Sequence, residues 1–407
     1  MADPSIVAFG RYLKIVRERR KLSLEDVAHL TKAYPEPVNK GYLSRVERGL
    51  NHVGFSKMVA LSRAYEVPLD AFGERYALDL EVDRLRGAPD TENQSFTQVF
   101  EEGRKLASGG KRLHSFACFR DALFKAAHDD VVSKFASRKE QVAVATLSHG
   151  IAAVGLGRYR LGLMEVEAAR DEKSLRSEYQ PIVSHELSVI YRQLGDAVAA
   201  TVFADKAIEE ALEAPQHRYL GDAYSVRARL AKDAKEYDKA IELYQRAFRA
   251  NKEAGRDEEC ALALLNLAVV YFELERVGAC RRTIQAAEKL ERSKSTSSVR
   301  PRLRILLGDL ESTQGHERQA TTLWQEAISL ARETSDRVAL FKAEYRLFAA
   351  AVEARNSTVL NALGRRLSRM VPWIPTAEPE VAKFRELYAL HRKPKQRGVA
   401  GSQLGSC

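Results

Sequence analysis

The sequence predicts an all-α protein, a small N-terminal helical domain followed by a long array of paired helices. Three observations predict it. Long segments are rich in Ala, Leu, Glu, Lys and Arg, the good helix formers, while Gly and Pro number only 23 and 12 among 407 residues. After a polar break near residue 90 the chain reads as uniformly helical. Within that part, one pattern of small and bulky residues returns every forty positions. A chain of this length exceeds one compact core, so separate domains or a repeat array are expected.

The first domain is expected over residues 1–75. Phe9, Tyr12, Leu13 and Val16 form the apolar stripe of a first helix whose other face carries Arg11, Lys14, Arg17, Arg19 and Arg20. Ser23 is a good N-cap for a second helix, with Leu24, Val27, Ala28 and Thr31 on one face and Glu25 and Asp26 in the first turn. A break follows at Tyr34-Pro35-Glu36-Pro37. Asn39 then caps a third helix over 40–47, and Gly49 closes it as a left-handed residue. After the loop LNHVG, a fourth helix turns Met58, Val59, Leu61, Ala64 and Tyr65 inward, and Pro68 and Asp70 begin a fifth. Helices two and three, the latter beginning Lys-Gly-Tyr and carrying Ser44, Arg45 and Arg48, have the form of a helix-turn-helix.

Three words in order, FGRYLKIVRERRKLSLEDVA, GYLSRVERG and LSRAYEVPLDAF, resemble the Cro/repressor-like (XRE) helix-turn-helix family over about the first 75 residues. The resemblance implies a five-helix domain for double-stranded DNA and an internal ion pair between Arg17 and Glu47. Two features depart from the family: Lys21 stands where a glycine is usual, and the connection around AYPEPVN is about five residues longer. For base reading, the start of the third helix offers Asn39, Lys40, Gly41, Tyr42 and Arg45, with Ser44 on the same helix. Gly41 allows close approach, and Tyr42 suits a thymine methyl or a phosphate. Lys14, Arg48, His52 and Lys57 are candidates for phosphate contacts. The alternative for any one of these residues is a solvated basic helix start.

Residues 76–95 are expected to be a linker, helix-compatible to Arg86 and then polar at GAPDTENQS. Over 96–371, Ala200, Ala240, Cys280 and Ala320 lie forty residues apart. Each has Ala seven positions later, at Ala207, Ala247, Ala287 and Ala327, with Ala204, Tyr244, Ile284 or Trp324 between. Upstream of each anchor stands a turn, such as YRQLGD with Gly195. Small residues recur where helices approach closely, and bulky ones where a knob fills the neighbouring repeat. This spacing resembles tetratricopeptide (TPR) helix pairs, AKEYDKAIELYQRAFRA being the clearest copy, and about seven repeats are expected. Residues 372–393 are expected as a capping helix and 394–407 as a disordered tail.

In such a solenoid the first helix of each pair lines the inner groove. The repeat frame places His185, Glu186, Arg192, Asp222, Ser225, Arg229, Asn266, Phe272, Arg302, Asp309, Tyr345 and Arg346 there. Asn266, in ALLNLAVVYF, can donate to and accept from the backbone of an extended peptide. Arg192, Arg229, Arg302 and Arg346 could clamp carboxylates, with Ser225 and Tyr345 beside them, or could pair only with the chain's own Glu and Asp.

The net charge of +10 suits a polyanionic partner without establishing one. Cys118, Cys260, Cys280 and Cys407 are far apart, and His29, His149 and His217 have no ligand spacing, so neither a metal site nor a cofactor is expected. No P-loop, dinucleotide-binding, zincin or nucleophile-elbow motif occurs, which argues against an enzyme. No apolar run suggests a membrane span or signal core, so a cytoplasmic protein is expected. Joined, the two parts resemble peptide-sensing transcription regulators of the quorum-sensing kind. That resemblance implies a homodimer, held through the repeats, whose bound peptide alters how its two domains meet DNA. The alternative is an interaction scaffold whose repeats bind a partner protein, with or without DNA.

Overall fold

The computed structural model describes residues 4–130, 132, 134–214, 219–291, 299–334, 336–374 and 378–392. The tail expected over 394–407, with Cys407, and His217 lie outside them. Among the described residues all regular structure is helical. The chain forms two compact units, Met1–Val299 and Arg300–Cys407.

Five helices open the first unit: α1 (Pro4–Arg19), α2 (Leu24–Leu30), α3 (Lys40–Glu47), α4 (Phe55–Ala64) and α5 (Leu69–Asp83). The caps are local chemistry. Ser23 and Asp26 form a reciprocal capping box at α2, and the Asn39 side chain accepts from the Tyr42 amide, 2.8 Å away, at α3. The long connection between α2 and α3 begins as a 3-10 turn, Thr31–Ala33, and is pinned by one hydroxyl. Thr31 Oγ1 donates to the Val27 carbonyl (2.9 Å) and accepts from the Val38 amide (3.1 Å). Lys21, where the resemblance led one to expect glycine, takes the left-handed conformation itself (φ 56°), so the backbone course is that of a glycine turn.

Gly10 and Gly49 let α1 lie against α3. A Cβ on Gly10 would sit 2.1 Å from the Val46 carbonyl oxygen, and one on Gly49 (φ 71°) would sit 2.6 Å from the Val7 Cα. Phe9, Tyr12, Leu13, Val16, Leu43, Val46, Leu61, Tyr65 and Phe72 close over this contact as a buried core.

The expected linker is half helix, because α5 runs to Asp83 and buries Leu78, Asp79 and Val82; only 84–95 is without helix. Four helix pairs and the first helix of a fifth follow: α6 (Phe96–Ser108) with α7 (Arg112–His128), α8 (Arg138–Gly155) with α9 (Tyr159–Arg170), α10 (Gln180–Leu194) with α11 (Ala197–Glu213), α12 (Leu220–Asp233) with α13 (Tyr237–Glu253), and α14 (Asp257–Glu273). The partner of α14 is α15 (Val277–Glu291). In the second unit lie α16 (Val299–Thr313) with α17 (Glu317–Glu333), α18 (Arg337–Glu353) with α19 (Ser357–Met370), and the closing helix α20 (Pro379–Arg392), whose Phe384 packs on Phe341 and Phe348.

The forty-residue period is a backbone device as well as a packing one. Residues 195, 235, 275, 315 and 355 are Gly, Lys, Glu, Gly and Arg, yet all are left-handed (φ 87°, 62°, 54°, 78° and 53°). After each, an amide reaches back to close the helix, Asp196 to Tyr191 O at 2.9 Å and Glu236 to Ala231 O at 2.8 Å among them. The anchors Ala200, Ala240, Cys280 and Ala320 are all fully buried, as are the alanines seven positions on.

Gly10→Ala should cost about 3 kcal/mol or more, because the clash is with backbone and cannot be relieved by a rotamer change. Thermal unfolding of the full chain checks this; an unchanged midpoint would show that α1 and α3 are not held at this distance.

Candidate functional site

Helix α3 buries Leu43, Val46 and Glu47 and turns Lys40, Gly41, Arg45 and Arg48 to solvent. Ser44 and Tyr42 are half-buried at its sides. A Cβ at Gly41 would meet nothing closer than 3.6 Å, so this end of the helix is open to close approach. The Tyr42 hydroxyl donates to the His52 carbonyl (2.7 Å), and the Lys57 ammonium lies 5.1 Å from the Tyr42 ring. Lys40 pairs with Glu25, and Lys57 with Glu36 at 3.0 Å; both pairs are exposed and weakly held, so either lysine can turn to a phosphate. The Arg48 guanidinium folds back on the Ser44 carbonyl at 3.2 Å.

Behind this face, Arg17 grips Glu47 with two parallel hydrogen bonds, 2.6 and 2.8 Å, and gives a third to the Leu22 carbonyl at 2.8 Å. Glu47 raises the Arg17 pKa against the opposing effect of burial. At 8% and 7% exposure the pair is nearly desolvated, and it ties α1, the turn before α2, and α3 into one piece.

A second polar cluster was not foreseen. Glu165 on α9 is fully buried. It accepts from the Tyr12 hydroxyl at 2.6 Å and lies 3.1 Å from the Arg19 guanidinium, both on α1. Burial opposes its charge, but Arg19, His149 and Tyr12 outweigh that and hold its pKa at about 2. His149 on α8, also fully buried, has its pKa lowered by desolvation. Arg75 on α5 brings Nη1 to 3.1 Å from His149 Nε2. A guanidinium only donates, so Nε2 accepts and the neutral ring carries its proton on Nδ1, facing Glu165 Oε2 at 3.8 Å. Arg75 also pairs with Asp79 (2.9 Å), which lies 3.4 Å from Arg120 on α7. The five-helix domain is thereby docked on α7, α8 and α9 by buried charge. Tyr12 reads in the sequence as part of an apolar stripe, and only the step from Arg75 to Asp79 is local, so no signal marked the network.

In the first unit α10, α12 and α14 touch one another in succession, which makes theirs the inner face of the array. Three of the four arginines expected as a clamp are already paired. Arg192 holds Asp233 (2.7 Å), Arg302 holds Asp336 (3.1 Å), and Arg346 holds both Asp309 (3.0 Å) and Glu380 (2.7 Å). Each joins one repeat to a later element, and the carboxylates keep Arg346 above its usual pKa despite burial. Arg229 lies against the Tyr244 phenol. Tyr345 is buried, 9% exposed, rather than facing a groove: it stands forty residues after Ile305, which is equally inward. Ser225 and Asn266 are half-buried, and Asn266 Nδ2 is a buried donor without a hydrogen-bond acceptor.

Residues 8–72 match the helix-turn-helix domain family, residues 221–253 the tetratricopeptide repeat family, and residues 302–351 a family described as anaphase-promoting complex subunit 5. No curated protein matches the chain. Among solved structures, the chain is similar to a Rap protein complexed with competence and sporulation factor, with a TM-score of 0.53 and 10% identity over 92% of this chain and 99% of that one. A signal transduction ATPase with a tetratricopeptide sensor from Pyrococcus horikoshii gives 0.50 and 12% over 87% and 52%. PlcR of Bacillus thuringiensis, solved with the peptide PapR7 and DNA, gives 0.42 and 12% over 70% and 94%. The chain joins a helix-turn-helix domain to a tetratricopeptide array.

Arg17→Met should destabilise the N-terminal domain by about 3 kcal/mol, since it strands Glu47. Arg17→Met with Glu47→Leu should cost clearly less, and a double variant no better than the single would exclude a desolvated pair. Stability should also fall as pH drops below about 6.5. The lowered His149 pKa means that the unfolded chain binds a proton there which the folded chain refuses. His149→Gln should flatten that part of the pH profile of the unfolding midpoint; an unaltered slope would place the proton uptake elsewhere.

Proposed function

We propose that this protein is a sequence-specific DNA-binding transcription regulator, active as a homodimer, whose repeat groove senses a short peptide. One observation carries the reading: a capped helix, α3, whose first turns are exposed and unobstructed on a helix-turn-helix scaffold. In this reading Asn39, Lys40, Gly41, Tyr42, Ser44 and Arg45 read base edges, and Arg48 and Lys57 hold phosphates. Their positive charge accords with the +10 balance of the chain. Both matched module types work by binding, so the reading assigns no catalysis.

A dimer must present two such helices about 34 Å apart, one turn of DNA. Because buried charge docks the domain on α7–α9, the path from ligand to DNA runs through the repeats rather than through a loose tether. Arg192, Arg302 and Arg346, already paired, play no part in this reading; Asn266 does.

A second reading, a scaffold that binds a partner protein, is favoured by Val198, Val202 and Leu212 on α11, which are 77%, 58% and 50% exposed. Selection of binding sites from random duplex DNA by the full chain separates the two. The regulator reading expects a recovered motif, with affinity falling steeply with salt. Arg45→Ala should then lose about 1–3 kcal/mol on the best site and relax one position, whereas Lys57→Ala should weaken all sequences alike. Failure to recover any motif would leave the scaffold.

A further inference from the structure

Glu186 on α10 is the exception among the carboxylates on the inner face of the first unit. Asp222, Asp233 and Glu273 each hold a cation of the chain: Arg256 at 2.8 Å, Arg192 at 2.7 Å and Lys232 at 3.1 Å. Glu186 has no Lys or Arg within ion-pairing distance among the described residues. Its side chain is 15% exposed, and its nearest charge partner is the neighbouring His185, with Nε2 at 4.0 Å. The positions one helical turn away are Ile182, Val183, Val189 and Ile190, all apolar. Burial raises its pKa, and Asp222 adds to the rise while His185 opposes it. An uncompensated carboxylate facing a groove is a destabilising arrangement, of the kind retained where a ligand supplies the missing charge.

Asn266 stands eighty residues on, at the same register two repeats away, and its Nδ2 donor is buried with no acceptor. Neighbouring helices pack about 8–10 Å apart, so two steps span roughly 20 Å. An extended peptide covers that in about six residues. Resting on the peptide-sensing reading above, we propose that Glu186 anchors a cationic group of an extended peptide whose backbone meets Asn266 about six residues further along. The cation is an ammonium or guanidinium, from the peptide's amino terminus or from a Lys or Arg side chain.

The test uses the full chain and a positional-scanning set of octapeptides with a C-terminal fluorophore. Each is made with a free or an acetylated amino terminus, with Lys or Asp at every position in turn, and binding is read by anisotropy. Peptides bearing a cation at one favoured place should bind at least about tenfold more tightly than acetylated, Lys-free ones. Preference for the free amino terminus marks that source, and preference for one Lys position marks the side chain. Glu186→Gln should abolish the preference, and Glu186→Lys should transfer it to Asp. Glu186→Gln should also raise the thermal midpoint at neutral pH. Binding without cation preference, a preference that survives Glu186→Gln, or a lowered midpoint would each overturn the anchor while leaving peptide sensing intact. If no peptide in the set binds, peptide sensing fails and the anchor with it.

Discussion

The buried carboxylate of Glu165 is the constraint on which the first unit depends. An ionised group at zero exposure is tolerable only when its charge is met, and it is met from α1: one oxygen accepts from the Tyr12 hydroxyl and the other lies 3.1 Å from the Arg19 guanidinium. The same residue faces His149 Nδ1 at 3.8 Å, and His149 in turn accepts from Arg75 on α5. The helix-turn-helix domain therefore shares its core with the first repeats: Phe116, Ala117, Ala153 and Leu161 belong to one cluster with Phe9, Tyr12 and Phe72. A hydrophobic contact alone would permit sliding. A buried network with named donors and acceptors permits one register.

Charge has a similar role along the array. Arg192 with Asp233, and Lys232 with Glu273, repeat one connection between the C-terminal ends of successive first helices in the first unit. In the second, Arg302 holds Asp336 at the start of α18, and Arg346 holds Glu380 at the start of α20. These pairs are partly exposed, so their contribution lies in fixing the angle between repeats more than in stability. They also explain why an arginine-rich groove need not be a receptor for acids. Against that background a carboxylate without a cation, Glu186, and an amide without an acceptor, Asn266, stand apart.

Much of the architecture was legible in the sequence. The Ser23 and Asn39 caps, the helix-turn-helix form and the forty-residue period all follow from interactions within a few residues or from repetition. The Arg17 and Glu47 pairing came through family resemblance, and the geometry supplies its reason, a desolvated bidentate contact. Less was legible at the candidate sites. Whether Arg192, Arg302 and Arg346 face a ligand or a neighbour depends on which carboxylate the next repeat brings near, and Tyr345 turned inward with Ile305. The helix α5 also outran its expected boundary, because Leu78 and Val82 have a surface to bury only once α7 and α9 are in place.

The sequence by itself determined an all-α chain, the Ser23 and Asn39 helix caps, and a turn that recurs every forty residues. Those features are set by local dihedral preference, capping and periodic burial, which act over one or two turns of chain. Only the tertiary structure decided which charges meet. Tyr12 and Glu165 are 153 residues apart, and Arg346 and Glu380 are 34 apart. Such pairs are selected by the relative orientation of packed helices, and no local pattern encodes that orientation.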